Sequence, residues 1–159
     1  MSKATPTDAR NEGWRDSQFG GGFADAAAFD TYLQSALDEA ANWASAKVGA
    51  ALYAATTSGY GLDLLKRAEL CFTAARLWRR RASFFDSQAN QGLEKSAADE
   101  RRAYLKHADD AWQCAQDVLA EALRELGVDL DALSGLPQIS IGHIETGPFP
   151  LHSAEAINA

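Results

Sequence analysis

Residues capable of chemistry are few in this chain and poorly grouped. The three histidines, His107, His143 and His152, are scattered, and none of their spacings places two on one helix face as metal ligands would require. Ordinary surface histidines are expected. Asp99 with Glu100, and Asp109 with Asp110, are sequence neighbours. Adjacent positions lie roughly 100° apart on a helix, so neither pair can share a proton as a dyad. No Ser/His/Asp or Cys/His arrangement can be picked out. Gly20 to Gly22 is not a phosphate loop, because no strand precedes it and no Lys-Ser/Thr follows. Cys71 and Cys114 are too few for a disulfide framework and are expected to be reduced thiols packed as small apolar groups on separate helix faces. The expectation is a protein that is not an enzyme, with no catalytic residue, metal or cofactor.

The densest charge run is Arg79, Arg80 and Arg81. Three successive residues sweep most of a helix circumference, so at least one must point inward or into an interface. Either acidic neighbours on the next helix, such as Glu94 or Asp99, answer the run, or it forms an ion-pairing patch for another subunit or an acidic partner. The formal charge of −7 and pI near 4.9 disfavour a grip on nucleic acid by bulk attraction to phosphate.

The elements that must carry these residues are helical. The central stretch is Leu62 to Ala89. In it Leu64, Ala68, Cys71, Ala75, Trp78, Ala82, Phe85 and Ala89 recur at three and four and draw one apolar stripe. Leu70, Leu77 and Phe84 form a second row, and Lys66, Glu69, Arg76, Arg79 and Arg80 fill much of the remainder as a charged surface. A helix with two apolar rows needs neighbours on two sides. An earlier helix is predicted over about Asp25 to Ala55, with Phe29, Leu33, Ala36, Leu37, Ala40, Trp43, Ala44, Val48 and Leu52 inward and a bend near Gly49. Thr56 to Gly61 reads as a loop. After a break near Gly92, a third helix is predicted from Ala97 to Leu126, closed by Gly127. The short connection makes it antiparallel to the second.

With 159 residues and 47 % apolar content, the chain is within the size of one domain. The predicted fold class is all-α: a bundle of three long helices over 24–127, an extended N-terminal arm over 1–23 and an extended C-terminal docking tail over 128–159 containing a short β segment. In the arm, Trp14, Phe19 and Phe23 punctuate a polar stretch. It is either a disordered terminus with a hinge or an arm that docks those rings on a partner or on its own body. In the tail, Ile139, Ile141 and Ile144 alternate as in a strand, with Phe149 and Leu151 beyond. A lone strand leaves its backbone groups unpaired, so pairing with another chain is one outlet. Residues 127–159 hold Asp129, Asp131, Glu145 and Glu155 and no Lys or Arg, so a receiving surface should be basic. No run reaches membrane-spanning length, residues 1–14 contain no apolar h-region, and a cytosolic protein is expected.

The stretch LKRAELCFTAARLWRRRASF at 65–84, followed by a Gly-containing break and a second long Ala-rich helix, resembles the head-tail connector (adaptor, or head completion) proteins of long-tailed bacteriophages. The likeness covers roughly Phe29 to Leu126 and lies in helix pattern rather than in a diagnostic motif. It implies a structural protein of the virion neck, made in the host cytoplasm. Such subunits form a ring, usually dodecameric, that joins the portal protein to the next neck or tail-completion component. DNA passes through the lumen without specific binding, and no membrane is involved. On that resemblance Ile139, Ile141, Ile144, Phe149 and Leu151 become the expected portal-docking residues, with Trp14, Phe19 and Phe23 as second choice. Arg76, Arg79 and Arg80 become the expected contacts between subunits. The alternative is a cytosolic helical protein-interaction module without a virion role.

Overall fold

The computed structural model describes residues 1–19, 22–89 and 94–128. The elements are α1 (Pro6–Asn11), a 3₁₀ turn (Asp16–Phe19), α2 (Ala26–Val48), α3 (Ala50–Ala55), α4 (Gly59–Ala89) and α5 (Glu94–Glu125). Three long helices are present, and no strand occurs among the described residues. No helix among them is long and apolar enough to cross a membrane. The tail expectations, including the β segment at Ile139 to Ile144, lie outside the described residues.

Local chemistry sets the boundaries. At α1, Thr5 and Asp8 form a capping box: the Asp8 N–H donates to Thr5 Oγ1 (3.3 Å) and the Thr5 N–H donates to Asp8 Oδ2 (2.8 Å), with Pro6 in the first turn. At α2, Asp25 accepts from the Ala28 N–H at 2.7 Å, a cap typically worth about 1 kcal/mol. The bend expected near Gly49 is a full break, because Gly49 sits at φ +94°, where a side chain would be strained. The loop expected over Thr56 to Gly61 is shorter than predicted, since α4 already begins at Gly59. Gly61 belongs to its first turn, where a Cβ would meet Leu126 Cδ2 at 2.9 Å. The glycine serves close approach between α4 and the end of α5, not a loop. Helix α5 ends as expected at Gly127 (φ +70°), with Val128 N–H donating to Leu123 O (2.9 Å) and Gly127 N–H to Arg124 O (3.1 Å), a Schellman closure.

Packing follows α4 along its length. Near its N-terminus Leu64, Leu65 and Ala68 pack with Ala41, Ala44 and Val48 of α2, Tyr53 of α3, and Val118, Leu119, Ala122 and Leu123 of α5. Further along, Leu77 joins Phe29 and Leu33 of α2 with Ala9, Trp14 and Phe19 of the N-terminal segment. Both α2 and α5 therefore run antiparallel to α4. Residues 1–19 are not the extended arm expected. They belong to the same compact unit, Met1–Asp129, with Trp14 8 % and Phe19 2 % exposed. Burial of rings of this size stabilises by about 1.5–3 kcal/mol each, which a tethered segment gains by folding back. Phe23 also packs there, 5.0 Å from Phe29 and 5.4 Å from Tyr32 between ring centroids.

Two further expectations are corrected. Glu69, placed on the charged surface, is 0 % exposed, because α4 is covered on a third side by the N-terminal segment and α3. Cys71 and Cys114 do not lie on separate faces. Their Cα atoms are 5.9 Å apart and their sulfurs are bonded as a disulfide. The antiparallel pairing of α4 with α5 brings the two turns together. The bond spans a sequence separation of 43 residues, for which the chain-entropy account gives a stabilisation of about 4 kcal/mol through the unfolded state. Dithiothreitol, or Cys71→Ser with Cys114→Ser, should lower the unfolding free energy by about 2–4 kcal/mol in urea titration. An unchanged midpoint would show that the cross-link contributes nothing.

Candidate functional site

Between the two apolar clusters, α4 turns a polar layer inward. Glu69 and Thr73, one turn apart, are 0 % and 1 % exposed. Glu69 Oε2 accepts from the backbone N–H of Lys3 and of Ala4, each at 2.8 Å, and Oε1 accepts from the Tyr53 hydroxyl in a very short hydrogen bond. The Lys3 ammonium donates to Thr56 O at 2.9 Å and lies 4.8 Å from the Tyr53 ring centroid. One carboxylate thus fastens the N-terminal segment and α3 to α4. Burial raises the Glu69 pKa, and hydrogen bonds from Ala4, Tyr53 and Lys3 oppose that rise only in part. Burial, followed by the bond to Glu69, also raises the Tyr53 pKa, so the phenol stays a donor. The Thr73 hydroxyl has no hydrogen-bond partner among the described residues.

An open groove of about 670 Å³ runs over the adjoining face of α4. Its walls include Trp14, Leu70, Ala74 and Trp78, the Cys71–Cys114 bond lies along one side, and Lys66, Arg67, Asp63 and Glu12 stand among its charged lining residues. The lining holds one carboxylate from α4 and one from the N-terminal segment, and one lysine with one arginine. Thr73, whose buried hydroxyl has no hydrogen-bond partner among the described residues, also lines it.

The predicted site residues are dispersed. Arg79, Arg80 and Arg81 splay around α4 as three successive positions must. Arg79 pairs with Asp109 at 3.8 Å, and Asp99 meets Arg102; the side chain of Glu94 lies outside the described residues. The Arg80 guanidinium lies 4.4 Å from the ring centroids of both Phe23 and Tyr32. Arg81 sits 4.6 Å from the Tyr104 centroid and 5.6 Å from that of Trp78. Arg76 forms a close ion pair with Glu39. Arg76, Arg79 and Arg80 do share one side of the molecule, around a shallow depression that also includes Tyr32, Phe72 and Ser83. Trp14, Phe19 and Phe23 come together but against the chain's own helices. Ile139, Ile141, Ile144, Phe149 and Leu151, with His143 and His152, lie outside the described residues. His107 contacts Trp78, ring centroids 4.9 Å apart. Among the described residues no three His, Cys, Asp or Glu side chains are grouped as a metal site.

Sequence reasoning missed the Glu69 centre. A signal was present in the row Leu65, Glu69, Thr73, Leu77 at spacings of four, which marks a third face, and in the Thr5-Pro6-x-Asp8 helix start, which marks the N-terminus as ordered. A search of family models, of curated proteins and of solved structures finds no match to this chain.

The raised Glu69 pKa has a defined consequence. The folded carboxyl holds its proton to higher pH than the unfolded one, so stability is lost as pH rises from the ordinary Glu value, about 4.3, through the folded value. Glu69→Gln keeps an acceptor and should flatten this part of the pH profile measured by urea unfolding between pH 4 and pH 8. Glu69→Ala strands buried donors and should cost about 1–3 kcal/mol at every pH.

Proposed function

We propose that this chain is a structural connector of a long-tailed phage neck, a ring subunit that joins the portal to the next neck or tail-completion component. The observation that carries the reading is the way the body ends. The α5 helix closes with the Schellman motif, and Val128 packs on the core cluster. The residues that follow have the composition of a docking segment: Ile139, Ile141, Ile144, Phe149 and Leu151, four acidic side chains and no Lys or Arg. The resemblance over 65–84 supplies the partner, and the three long helices are compatible with it. A net charge of −7 suits a passage through which DNA slides without adhering. The Cys71–Cys114 bond suits a particle that leaves the reducing interior of its host.

In this reading Arg76 and Arg79, partly exposed, are the arginines available to a neighbouring subunit, whereas Arg80 is occupied by Phe23 and Tyr32. The N-terminal rings serve the fold, which leaves portal docking to the tail. A helical protein-interaction module without a virion role is the second reading, favoured by the half-buried aromatic cluster of Trp43, Phe72 and Trp112. Deleting residues 136–159 separates the two. A connector should lose attachment to portal-bearing heads while its helical circular dichroism is kept. Undiminished attachment would overturn the docking role of the tail.

A further inference from the structure

The Cys71–Cys114 bond lies on the wall of the open groove of about 670 Å³, and both of its residues are half-buried. A groove of that volume is in the range of sites for small molecules. Its charged lining differs in depth: Lys66 is half-buried, whereas Arg67, Asp63 and Glu12 are exposed. Neither Lys66 nor Arg67 closes an ion pair among the described residues. Thr73, 1 % exposed, brings its hydroxyl to the same groove beside Leu70 and Ala74, with no partner among the described residues. The two cysteines also differ in their surroundings. Arg67 precedes Cys71 by four residues on α4, whereas Asp110 precedes Cys114 by four and Asp117 follows it by three on α5. Those spacings put each charge on the cysteine's own side of its helix.

A disulfide on the wall of an open groove is a substrate for exchange with a thiolate, and the charges around it set the direction of that exchange. We infer that the groove is a thiol-exchange site for a small anionic peptide thiol of the glutathione type. The ligand's carboxylates meet Lys66 and Arg67, and an amide meets the Thr73 hydroxyl. Its thiolate, whose proton has gone to water, attacks Cys114 Sγ. A bond forms between those two sulfurs, the Cys71–Cys114 bond breaks, and the electron pair leaves on Cys71 Sγ. The sulfur that leaves faster is the one of lower thiol pKa, and Arg67 and Lys66 stabilise the Cys71 thiolate, whereas Asp110 and Asp117 disfavour one at Cys114. Both aspartates are exposed and screened by water, so they repel the incoming anion less than half-buried Lys66 holds the departing one. A second thiol that attacks the ligand sulfur of the mixed disulfide releases the oxidised ligand and leaves both cysteines reduced. The cross-link thereby opens where small thiols are abundant and closes where they are scarce. The inference concerns the helical body and does not rest on the portal.

Exchange kinetics of the oxidised full chain test it. The chain is treated with reduced glutathione, an anion, or with cysteamine, which carries an ammonium group instead, at equal thiolate concentration. The reaction is quenched with excess N-ethylmaleimide and read by mass spectrometry, and each rate is divided by that for the chain unfolded in urea. Glutathione should hold an advantage of about tenfold over cysteamine, which added salt reduces. The first adduct should carry glutathione on Cys114 and N-ethylmaleimide on Cys71. Lys66→Gln with Arg67→Gln should erase the advantage, with helical circular dichroism unchanged. Equal normalised rates for the two thiols, an adduct chiefly on Cys71, or reduction only in proportion to the unfolded fraction would overturn the inference. Portal attachment is a separate readout, so loss of the connector reading leaves this result standing, and the reverse.

Discussion

A carboxylate with no access to water must find its donors inside the protein, and Glu69 organises the molecule around that requirement. Desolvation of an unpaired charge would cost several kcal/mol, more than any single apolar contact in the bundle returns. The two backbone N–H groups of Lys3 and Ala4 and the hydroxyl of Tyr53 answer it. Each comes from an element that would otherwise have weak reason to lie where it does. The N-terminal segment is too short to hold itself, and α3 is six residues long, below the length at which an isolated helix is stable. With these two in place, α4 is covered on a third side, and Trp14 and Phe19 have a surface to pack on.

The opposite side of α4 works by size rather than by charge. Ala68, Ala75 and Ala82 of α4 and Ala108, Ala115 and Ala122 of α5 are all nearly inaccessible, and Ala68 and Ala122 share one core cluster. Small side chains permit helix axes to approach closely, and the same closeness brings Cys71 and Cys114 within bonding distance. Larger residues fill the margins: Trp78 contacts Tyr104 and His107 on α5 and Trp14 on the N-terminal segment. One tryptophan therefore touches two of the neighbours of α4, linking α5 to the folded-back terminus.

The arginine run shows how one local pattern serves different surroundings. Its three members share a backbone environment and similar intrinsic chemistry. Arg79 nevertheless finds a carboxylate, Arg80 two rings on the α2 side, and Arg81 two rings toward α5. Planar guanidinium groups stack on aromatic faces as readily as they pair with acids. A charge run on a central helix can thus be largely absorbed by its own fold, leaving Arg79 as the most exposed of the three.

Local sequence alone determined that the described body is helical, where its three long helices lie, that the first helix is perturbed near Gly49 and that α5 stops at Gly127. These features depend on interactions within a few residues: the 3.6-residue repeat, backbone freedom at glycine and the closure of a helix end. Tertiary structure alone decided the fate of Glu69, of the two cysteines and of Trp14, Phe19 and Phe23. Each of these depends on a segment distant in sequence: Lys3 and Ala4 for Glu69, α5 for Cys71, and α2 with α4 for the aromatic rings. Within the row Leu65, Glu69, Thr73, Leu77, local spacing shows that a third face exists. Only the arrival of the N-terminal segment turns that face from charged surface into buried core.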